Sequence, residues 1–199
     1  ITYTSAGALT QALSILEHLG TGDSIFLGDG VNVAIGGQGD DQIAGGGDAD
    51  IILGDSGVAN FNAGHMTDAA STAINQGGAD VIDAGDGTNT VIGGYGADIL
   101  TGGVNSDRLV GDNGSITLTD GVVTQVASTD LDDTTGDSDW IDAGTGDNHL
   151  IGGAGSDTIT GGAGTDHVLG DHGVITYTSA GALTQALSIL EHLGTGDSI

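Results

Sequence analysis

Short stretches with a nine-residue period run through most of the chain, and each one ends in a triplet with an apolar residue at its centre. Such a triplet predicts a three-residue β-strand whose middle side chain points to one face and whose neighbours point to the other. The predicted inward residues are, in order, Ile25, Ala34, Ile43, Ile52, Ile82, Val91, Leu100, Leu109, Ile141, Leu150, Ile159 and Val168. One aliphatic side chain per stretch predicts a thin core, which apolar burial alone does not hold together.

The six residues before each triplet are rich in glycine and end in Asp or Asn. Four of these loops match G-G-x-G-x-D in full: 36–41, 93–98, 152–157 and 161–166. We expect the glycines at positions 1, 2 and 4 to adopt positive φ, which lets the loop turn tightly with its carbonyl groups aimed at one point. Asp48 and Asn105 replace the fourth glycine in two loops, and both residue types tolerate that conformation. Two loops and two strands close a coil of about 18 residues, so residues 18 apart stack about 4.8 Å apart.

The sixth loop position carries a regular series of oxygen donors. The series is Asp23, Asn32, Asp41, Asp50, Asp80, Asn89, Asp98, Asp107, Asp139, Asn148, Asp157 and Asp166. The nonapeptides resemble those of the RTX (repeats-in-toxin) calcium-binding family, and the resemblance covers all but the inserts. It implies a parallel β-roll; together with the inserts described below, the predicted fold class is all-β, a parallel β-roll (β-solenoid) with β-hairpin inserts. It also implies Ca²⁺ as the cofactor, bridging successive loops through these twelve side chains and loop carbonyls, because Ca²⁺ takes six to eight oxygen ligands. Since Asn supplies a neutral oxygen, we expect weaker binding where it occurs.

A longer repeat contains the nonapeptides. Residues 1–25 recur without change as 175–199, and within that period of 174 residues three related units follow one another. The predicted organisation is one continuous solenoid over 1–199, with units at 18–76, 77–133 and 134–193 and the start of the next period at 175–199. Such duplication is typical of tandem arrays, in which each repeat covers its neighbour's exposed core. We therefore expect the chain to be a window of a longer repetitive protein.

Each unit ends in a GD-x-G turn followed by an insert of about twenty residues. The turns at 54–57, 111–114 and 170–173 have no Asp at their own sixth position, which argues against calcium there. Asp55, Asp112 and Asp171 either cap the acidic row or initiate the turn.

The inserts predict β-hairpins. The segment 115–127 has two β-rich runs around Asp120-Gly121, a strong hairpin turn signal. In the last insert, Leu183, Ala186, Leu187 and Leu190 also fit a helical face. Alignment of Thr184 and Ser188 with Thr124 and Ser128 favours strand there. We expect the hairpins to interrupt the roll three times per period and to project as arms for lateral packing between neighbouring units or chains.

The charge of the chain limits the classes of molecule that it can bind. One Lys or Arg stands against 28 Asp and Glu, for a net charge of −27, which argues against nucleic acid and anionic lipid surfaces as partners. The absence of Cys excludes disulfides and thiolate metal sites. No apolar run approaches the ~20 residues that span a bilayer, so we expect no membrane insertion. His149 and His167 are expected to stack on one outer face, with a Zn²⁺ or Cu²⁺ site beside His172 as the less favoured alternative.

No nucleophile elbow, H-E-x-x-H run or other catalytic constellation stands out, so we predict no enzyme activity. The resemblance and the nested repeats together predict a calcium-binding structural repeat of a long secreted or cell-surface stalk, fibre or adhesin. Its location would be extracellular or on a bacterial cell surface. Its partners would be calcium, adjacent identical repeats and, in a fibre, neighbouring chains. The alternative is a calcium-dependent folding and secretion cassette of an RTX-type hydrolase or toxin. Ice binding is disfavoured because the outer loop positions form no regular Thr row.

Overall fold

Every element of the computed structural model is a β-strand, within the residues it describes: 1–15, 19–130, 135–189 and 197–199. The first ten strands are β1 (Thr2–Tyr3), β2 (Leu9–Leu13), β3 (Ser24–Phe26), β4 (Val33–Ile35), β5 (Gln42–Gly46), β6 (Ile51–Leu53), β7 (Gly57–Asn62), β8 (His65–Ser71), β9 (Val81–Gly85) and β10 (Thr90–Gly94). The others are β11 (Ile99–Thr101), β12 (Arg108–Asp112), β13 (Gly114–Thr119), β14 (Val122–Ser128), β15 (Trp140–Asp142), β16 (His149–Gly153), β17 (Thr158–Thr160), β18 (His167–Asp171), β19 (Gly173–Tyr177) and β20 (Leu183–Ser188). The predicted all-β class is confirmed.

The nonapeptides build two parallel six-stranded sheets. The first, which we call the open sheet, has the order β3-β5-β9-β11-β15-β17, and the second, the covered sheet, has the order β4-β6-β10-β12-β16-β18. The chain alternates between them, so neighbouring strands within a unit are 18 residues apart, as Ser24 and Gln42 are. Across an insert the register is kept, because Gln42 pairs with Val81. The expectation that inserts interrupt the stack is wrong, since parallel pairing resumes directly after each one.

The side chains between these two sheets form a first core. It contains the predicted inward residues from Ala34 to Ile159, all buried, with Ile25 and Val168 partly buried at its ends. Ala84, within β9, and Ala143, directly after β15, are fully buried in the same core. The predicted inward row is therefore confirmed, and these two alanines extend it.

The inserts form hairpins that pair with one another in a third sheet. This hairpin sheet is antiparallel, with the order β1-β2-β7-β8-β13-β14-β19-β20. The strand prediction for the last insert agrees with the pairing of β20 to β19, whereas Leu190 lies outside the described residues, as do the predicted unit boundaries at 18, 133, 134 and 193. The hairpins do not project as arms. They lie side by side along the covered sheet.

A second core fills the space between the hairpin sheet and the covered sheet. Outward residues of the covered sheet, such as Ile92, Val110 and Ile151, are buried against Ile116 and Val126 of the hairpins. The expectation of a single thin core is therefore wrong. Its physical reason is that the covered-sheet strands are apolar at the third triplet position as well as the second, as strands buried on both faces are.

The three sheets share one spacing along the molecule. Each unit adds two strands to the open sheet, two to the covered sheet and two to the hairpin sheet. Because strands in any sheet lie about 4.7–4.9 Å apart, hairpins and coils advance at the same rate. A hairpin contributes two strands to its sheet, and two coils contribute two strands to the covered sheet. With one hairpin for every two coils, the hairpin sheet therefore stays in contact with the covered sheet over any length.

The second core predicts a large effect for a hairpin residue. Ile116 has no exposed surface, so we expect Ile116→Ala to lower the free energy of unfolding in saturating calcium by about 2–5 kcal/mol. Thr119→Ala, at an exposed position of the same strand, is the control and should change it little. Denaturant unfolding of both variants measures this, and equal stabilities would contradict docking of the hairpin sheet.

Candidate metal sites

The loops between the two parallel sheets line up in two rows. Loops that lead from the covered sheet to the open sheet form the first edge, and loops that lead back form the second edge. The intact first-edge loops are 36–41, 93–98 and 152–157. The second-edge loops are 27–32, 45–50, 84–89, 102–107, 143–148 and 161–166. The coil geometry thus separates the twelve predicted side chains into two sets of six.

The GD-x-G turns are the first halves of split first-edge loops. Gly54 and Asp55 fill positions 1 and 2, the hairpin β7–β8 follows, and the loop resumes so that Asp80 fills position 6. A Cβ added to Gly54 would touch Oδ2 of Asp80, as a first and a sixth residue of one loop do. Gly111 with Asp139 repeats this arrangement. The expectation that these turns have no position-6 Asp is wrong, because the residue after the insert supplies it.

A ladder of hydrogen bonds runs along the first edge. The backbone N–H of each position-6 Asp donates to Oδ1 of the position-6 Asp one coil further on. The ladder passes through Asp23, Asp41, Asp80, Asp98, Asp139, Asp157 and Asp197, with N···O distances between 2.6 and 3.0 Å. Pairs separated by an insert, such as Asp41 and Asp80, are bonded like pairs 18 residues apart. The inserts therefore leave the acidic row continuous.

The second edge carries the same ladder with a different composition. It passes through Asn32, Asp50, Asn89, Asp107, Asn148 and Asp166, with distances between 2.7 and 3.0 Å. Asn and Asp alternate along it, and every member after Asn32 accepts the N–H of the preceding member through Oδ1. The structure thus brings all twelve sequence-predicted site residues into two rows.

The ladder leaves one oxygen of each aspartate unused. Seven of these Oδ2 atoms are buried and accept no hydrogen bond: those of Asp41, Asp50, Asp80, Asp98, Asp107, Asp139 and Asp157. A buried carboxylate oxygen without a hydrogen-bond partner costs folding free energy, and a nearby positive charge would offset that cost. The single Arg of the chain cannot serve all seven. A row of unpaired anionic oxygens beside carbonyl-rich loops fits a bound cation that prefers oxygen ligands.

The donor set defines what kind of cation fits. Among the described residues, no three His, Asp or Glu side chains gather at one point. A metal ion in a loop would therefore take one or two carboxylate oxygens and complete its shell with backbone carbonyls. Hard cations that accept irregular shells of oxygen, above all Ca²⁺, suit such sites.

Burial also changes the acidity of the ladder. Loss of solvent raises the pKa of Asp98 and Asp139 well above the ordinary value, and the negative charges of neighbouring aspartates raise it further. Burial likewise raises the pKa of Asp80 and Asp157 to about 7, with neighbouring aspartates adding to it. Without a cation, these groups therefore bind a proton at a higher pH than an ordinary aspartate does.

Asp55 and Asp112 reach into the first edge from the split loops. Asp55 is buried, and it accepts the N–H groups of Gly78 and Tyr95 at 3.1 and 2.5 Å. Burial, with the charge of Asp80, raises its pKa to about 9. Asp112 accepts the N–H of Ala154, and its pKa is raised to about 8, chiefly by burial. Their contacts favour the capping alternative, since each ties the entry of a hairpin to the neighbouring loops.

The histidines stack under the hairpin sheet. The ring centroids of His149 and His167 are 5.6 Å apart, and the ring of Tyr177 lies 4.6 Å from that of His149. Burial, with the charge of Arg108, lowers the pKa of His149 to about 4. The predicted stacking is correct, but the face is covered by the last hairpin and is not an outer surface.

Comparison with protein families identifies the repeats. The RTX calcium-binding nonapeptide repeat (4 copies) matches residues 26–58, 83–115 and 133–168, which is about half of the chain. The chain belongs to this family. Calcium is therefore the cation that these repeats bind, as the resemblance implied. Comparisons with curated proteins and with solved structures found no match. In the described part of the chain, no helix long and apolar enough to cross a membrane occurs.

Two aspartates of different placement test the position-6 assignment. Asp98 is buried and holds the N–H of Asp80 at 2.8 Å, whereas Asp86 is exposed at a loop position outside the ladder. A hydrogen bond to a charged group contributes about 1.5–3 kcal/mol. We therefore expect Asp98→Ala to weaken calcium binding about tenfold or more and Asp86→Ala to change it little. Calorimetric titration decides, and equal losses would show that the loop register is misassigned.

Proposed function

We propose that this chain is a calcium-stiffened structural segment of a long secreted or cell-surface stalk, fibre or adhesin. In this proposal, the two parallel sheets and their loops form a parallel β-roll, a solenoid without separate domains. The ladder aspartates and the loop carbonyls would hold Ca²⁺ between successive coils. The role is mechanical and includes no catalysis. Extracellular placement follows from the need for abundant calcium, and the absence of Cys is compatible with it.

The observation that carries the proposal is the pairing around the duplicated ends. Residues 1–14, which contain β1 and β2, have the same sequence as 175–188, which contain β20 and most of β19. At the start of the chain, β2 pairs with β7 through Gln11 and Asn60. At the other end, β20 presents the same residues on a free sheet edge. The contact between β2 and β7 is therefore a template for the contact that β20 would make with a following period.

The acidic ladder has the same property. Asp197 occupies the place in the repeat that Asp23 occupies. Asp197 accepts the N–H of Asp157, while the N–H of Asp23 donates to Asp41. In a longer array, one residue at this place in the repeat would accept the N–H of the preceding aspartate and donate its own N–H to the following one. The ladder would then pass from one period to the next without a linker. With six coils per period, each period would advance about 29 Å at ~4.8 Å per coil.

The calcium-dependent secretion cassette remains the second candidate. Membership of the RTX family supports it as well, because the same repeats serve both roles. The hairpin sheet favours the stalk, since it adds a layer that stiffens a rod and that calcium-driven folding alone does not require. The two candidates differ in whether neighbouring periods form one stiff body.

Scattering and electron microscopy of a chain of three periods test this proposal. In saturating calcium, we expect a rod whose length grows by about 29 Å with each added period. In chelator the same chain should become compliant. Particles shaped like separate beads in saturating calcium would overturn the stalk proposal.

A further inference from the structure

The loops of the second edge belong to two structural classes that alternate along the molecule. The Asn loops, 27–32, 84–89 and 143–148, end in Asn32, Asn89 and Asn148. The Asp loops between them, 45–50, 102–107 and 161–166, end in Asp50, Asp107 and Asp166. Since Oδ1 makes the same ladder bond in both classes, the difference lies in the second atom of the side chain.

In the Asn loops, the second atom is a donor with partners. Nδ2 of Asn32 donates to the carbonyls of Gly28 and Gly30 at 3.2 and 2.8 Å. Nδ2 of Asn89 donates to the carbonyls of Gly85 and Gly87 at 3.2 and 3.4 Å. These carbonyls belong to loop positions 2 and 4, and in each loop both accept a hydrogen bond from the same amide nitrogen. An amide group already satisfies them.

The third Asn loop follows the same pattern with one change. Nδ2 of Asn148 donates to the position-4 carbonyl of Gly146 at 3.2 Å and to the carbonyl of Gly161 in the next coil at 3.1 Å. It also donates to Oδ1 of Asp166 at 3.0 Å. The amide of this loop therefore also bridges to the following Asp loop.

In two of the three Asp loops, the corresponding atom is a buried acceptor without a partner. Oδ2 of Asp50 and Oδ2 of Asp107 are buried and receive no hydrogen bond. An ionised carboxylate oxygen cannot donate to the loop carbonyls, so as long as the aspartate is charged only a cation can lie favourably between these groups. The two classes thus meet the same set of carbonyls with different chemistry.

The first loop position changes together with the sixth. Asn loops begin with Leu27, Ala84 and Ala143, whereas every Asp loop that no insert splits begins with Gly. In the described loops these first-position glycines do not have positive φ, contrary to the sequence expectation. Their need is space, because a Cβ on Gly161 would lie 2.5 Å from Oδ2 of Asp166. A Cβ on Gly45 would collide with the backbone carbonyl oxygen of Ala84 as well as with Oδ2 of Asp50. In Asn loops the side chain fills this place instead, and Ala84 and Ala143 are part of the first core.

We infer that the three Asn loops are closed by their own amide groups and hold no calcium, so that the second edge binds calcium only at every other loop. The inference deepens the proposed calcium role and rests on it. Of the twelve predicted site residues, Asn32, Asn89 and Asn148 would then be replacements for the ion and not weak ligands of it. Each period would bind calcium at nine of its twelve position-6 loops.

Conversion of one loop class into the other tests this. Equilibrium dialysis of the full chain at saturating calcium, with emission spectrometry, counts the ions bound per chain. We expect Ala84→Gly with Asn89→Asp to bind one ion more than the parent chain. Asn89→Asp alone should bind no additional ion, because Ala84 still occupies the space beside the new carboxylate. The reverse change, Gly161→Ala with Asp166→Asn, should bind one ion fewer and remain folded, because the three atoms nearest to a Cβ at position 161 all belong to the side chain of Asp166.

The outcomes separate the inference from calcium binding itself. If the Ala84→Gly and Asn89→Asp pair keeps the parental count, or if Asn89→Asp alone gains the same ion as the pair, the two classes are not real. Either result would leave calcium binding by the Asp loops intact. If Asn89→Asp alone fails to fold, the two paired variants still decide, since their expected counts differ by two.

Discussion

Removal of calcium at neutral pH is expected to unfold the chain. The structure buries seven Oδ2 atoms of the two ladders without hydrogen-bond partners, in a molecule whose net charge is −27. Leaving a buried charged group without compensation costs several kcal/mol for each ion, and folded domains are stable by only about 5–15 kcal/mol. At neutral pH each group must either stay charged without a partner or bind a proton far above its ordinary pKa, and both cost free energy, so two apolar cores cannot offset the whole row. We therefore expect far-UV circular dichroism in chelator to show loss of β-structure, which returns at millimolar Ca²⁺, the range of weak extracellular sites.

Two controls separate calcium binding from general charge screening. Sodium chloride at high concentration weakens repulsion between surface charges but does not supply partners for buried oxygens, so it should not restore the β signal. Mg²⁺ demands near-ideal octahedral geometry and keeps its water, so it should restore little. A chain that stays folded in chelator at low salt would contradict the prediction and would show that the second core suffices.

The sequence predicted what depends on the nine-residue period. The inward row from Ala34 to Ile159 and the position-6 series follow from spacing alone, because strand alternation and coil length fix them. The hairpin strands followed from alignment of the inserts. These features are local or strictly periodic, so they do not depend on contacts between distant segments of the chain.

The second core depends on a contact between segments that the period does not relate. Its signal was present in the third triplet position, where Leu53, Ile92 and Val110 are apolar on the face predicted to meet solvent. That pattern marks strands buried on both sides. What the sequence could not supply is the partner, since only the folded chain shows that hairpins lie along the covered sheet.

The split loops were missed for a different reason. A motif search assumes that six loop residues are consecutive, whereas Gly54 and Asp80 belong to one loop with a hairpin between them. The role of the first-position glycine was likewise misassigned. Sequence composition suggests backbone freedom for every glycine, but only coordinates distinguish a left-handed residue from one that makes room for a carboxylate.

Acidification is expected to replace calcium as the stabilising condition. Burial raises the pKa of Asp55 to about 9, of Asp112 to about 8 and of Asp80 to about 7, against 3.8 for the same groups in an unfolded chain. Between these values the folded chain binds more protons than the unfolded chain, so the stability of the calcium-free fold rises as the pH falls. The gain begins below about pH 9 and is complete near pH 4. Calcium binding has the opposite dependence, because its ligands must be deprotonated.

Circular dichroism of the calcium-free chain across pH 8.5 to 4.5 measures this effect. Calcium should be removed beforehand on a chelating resin, so that no soluble chelator titrates with the protein. We expect the β signal to return as the pH falls through about 7, together with a near-UV signal from the packed aromatic rings, which a merely collapsed acid state lacks. Replacing Asp55 and Asp112 together by Asn imitates their protonated forms, so this variant should regain structure at a higher pH than the parent. A calcium-free chain that stays unfolded down to pH 4.5 would contradict this prediction. It would show that protonation of the buried aspartates is not enough, and that the loops fold only when an ion coordinates their oxygen atoms.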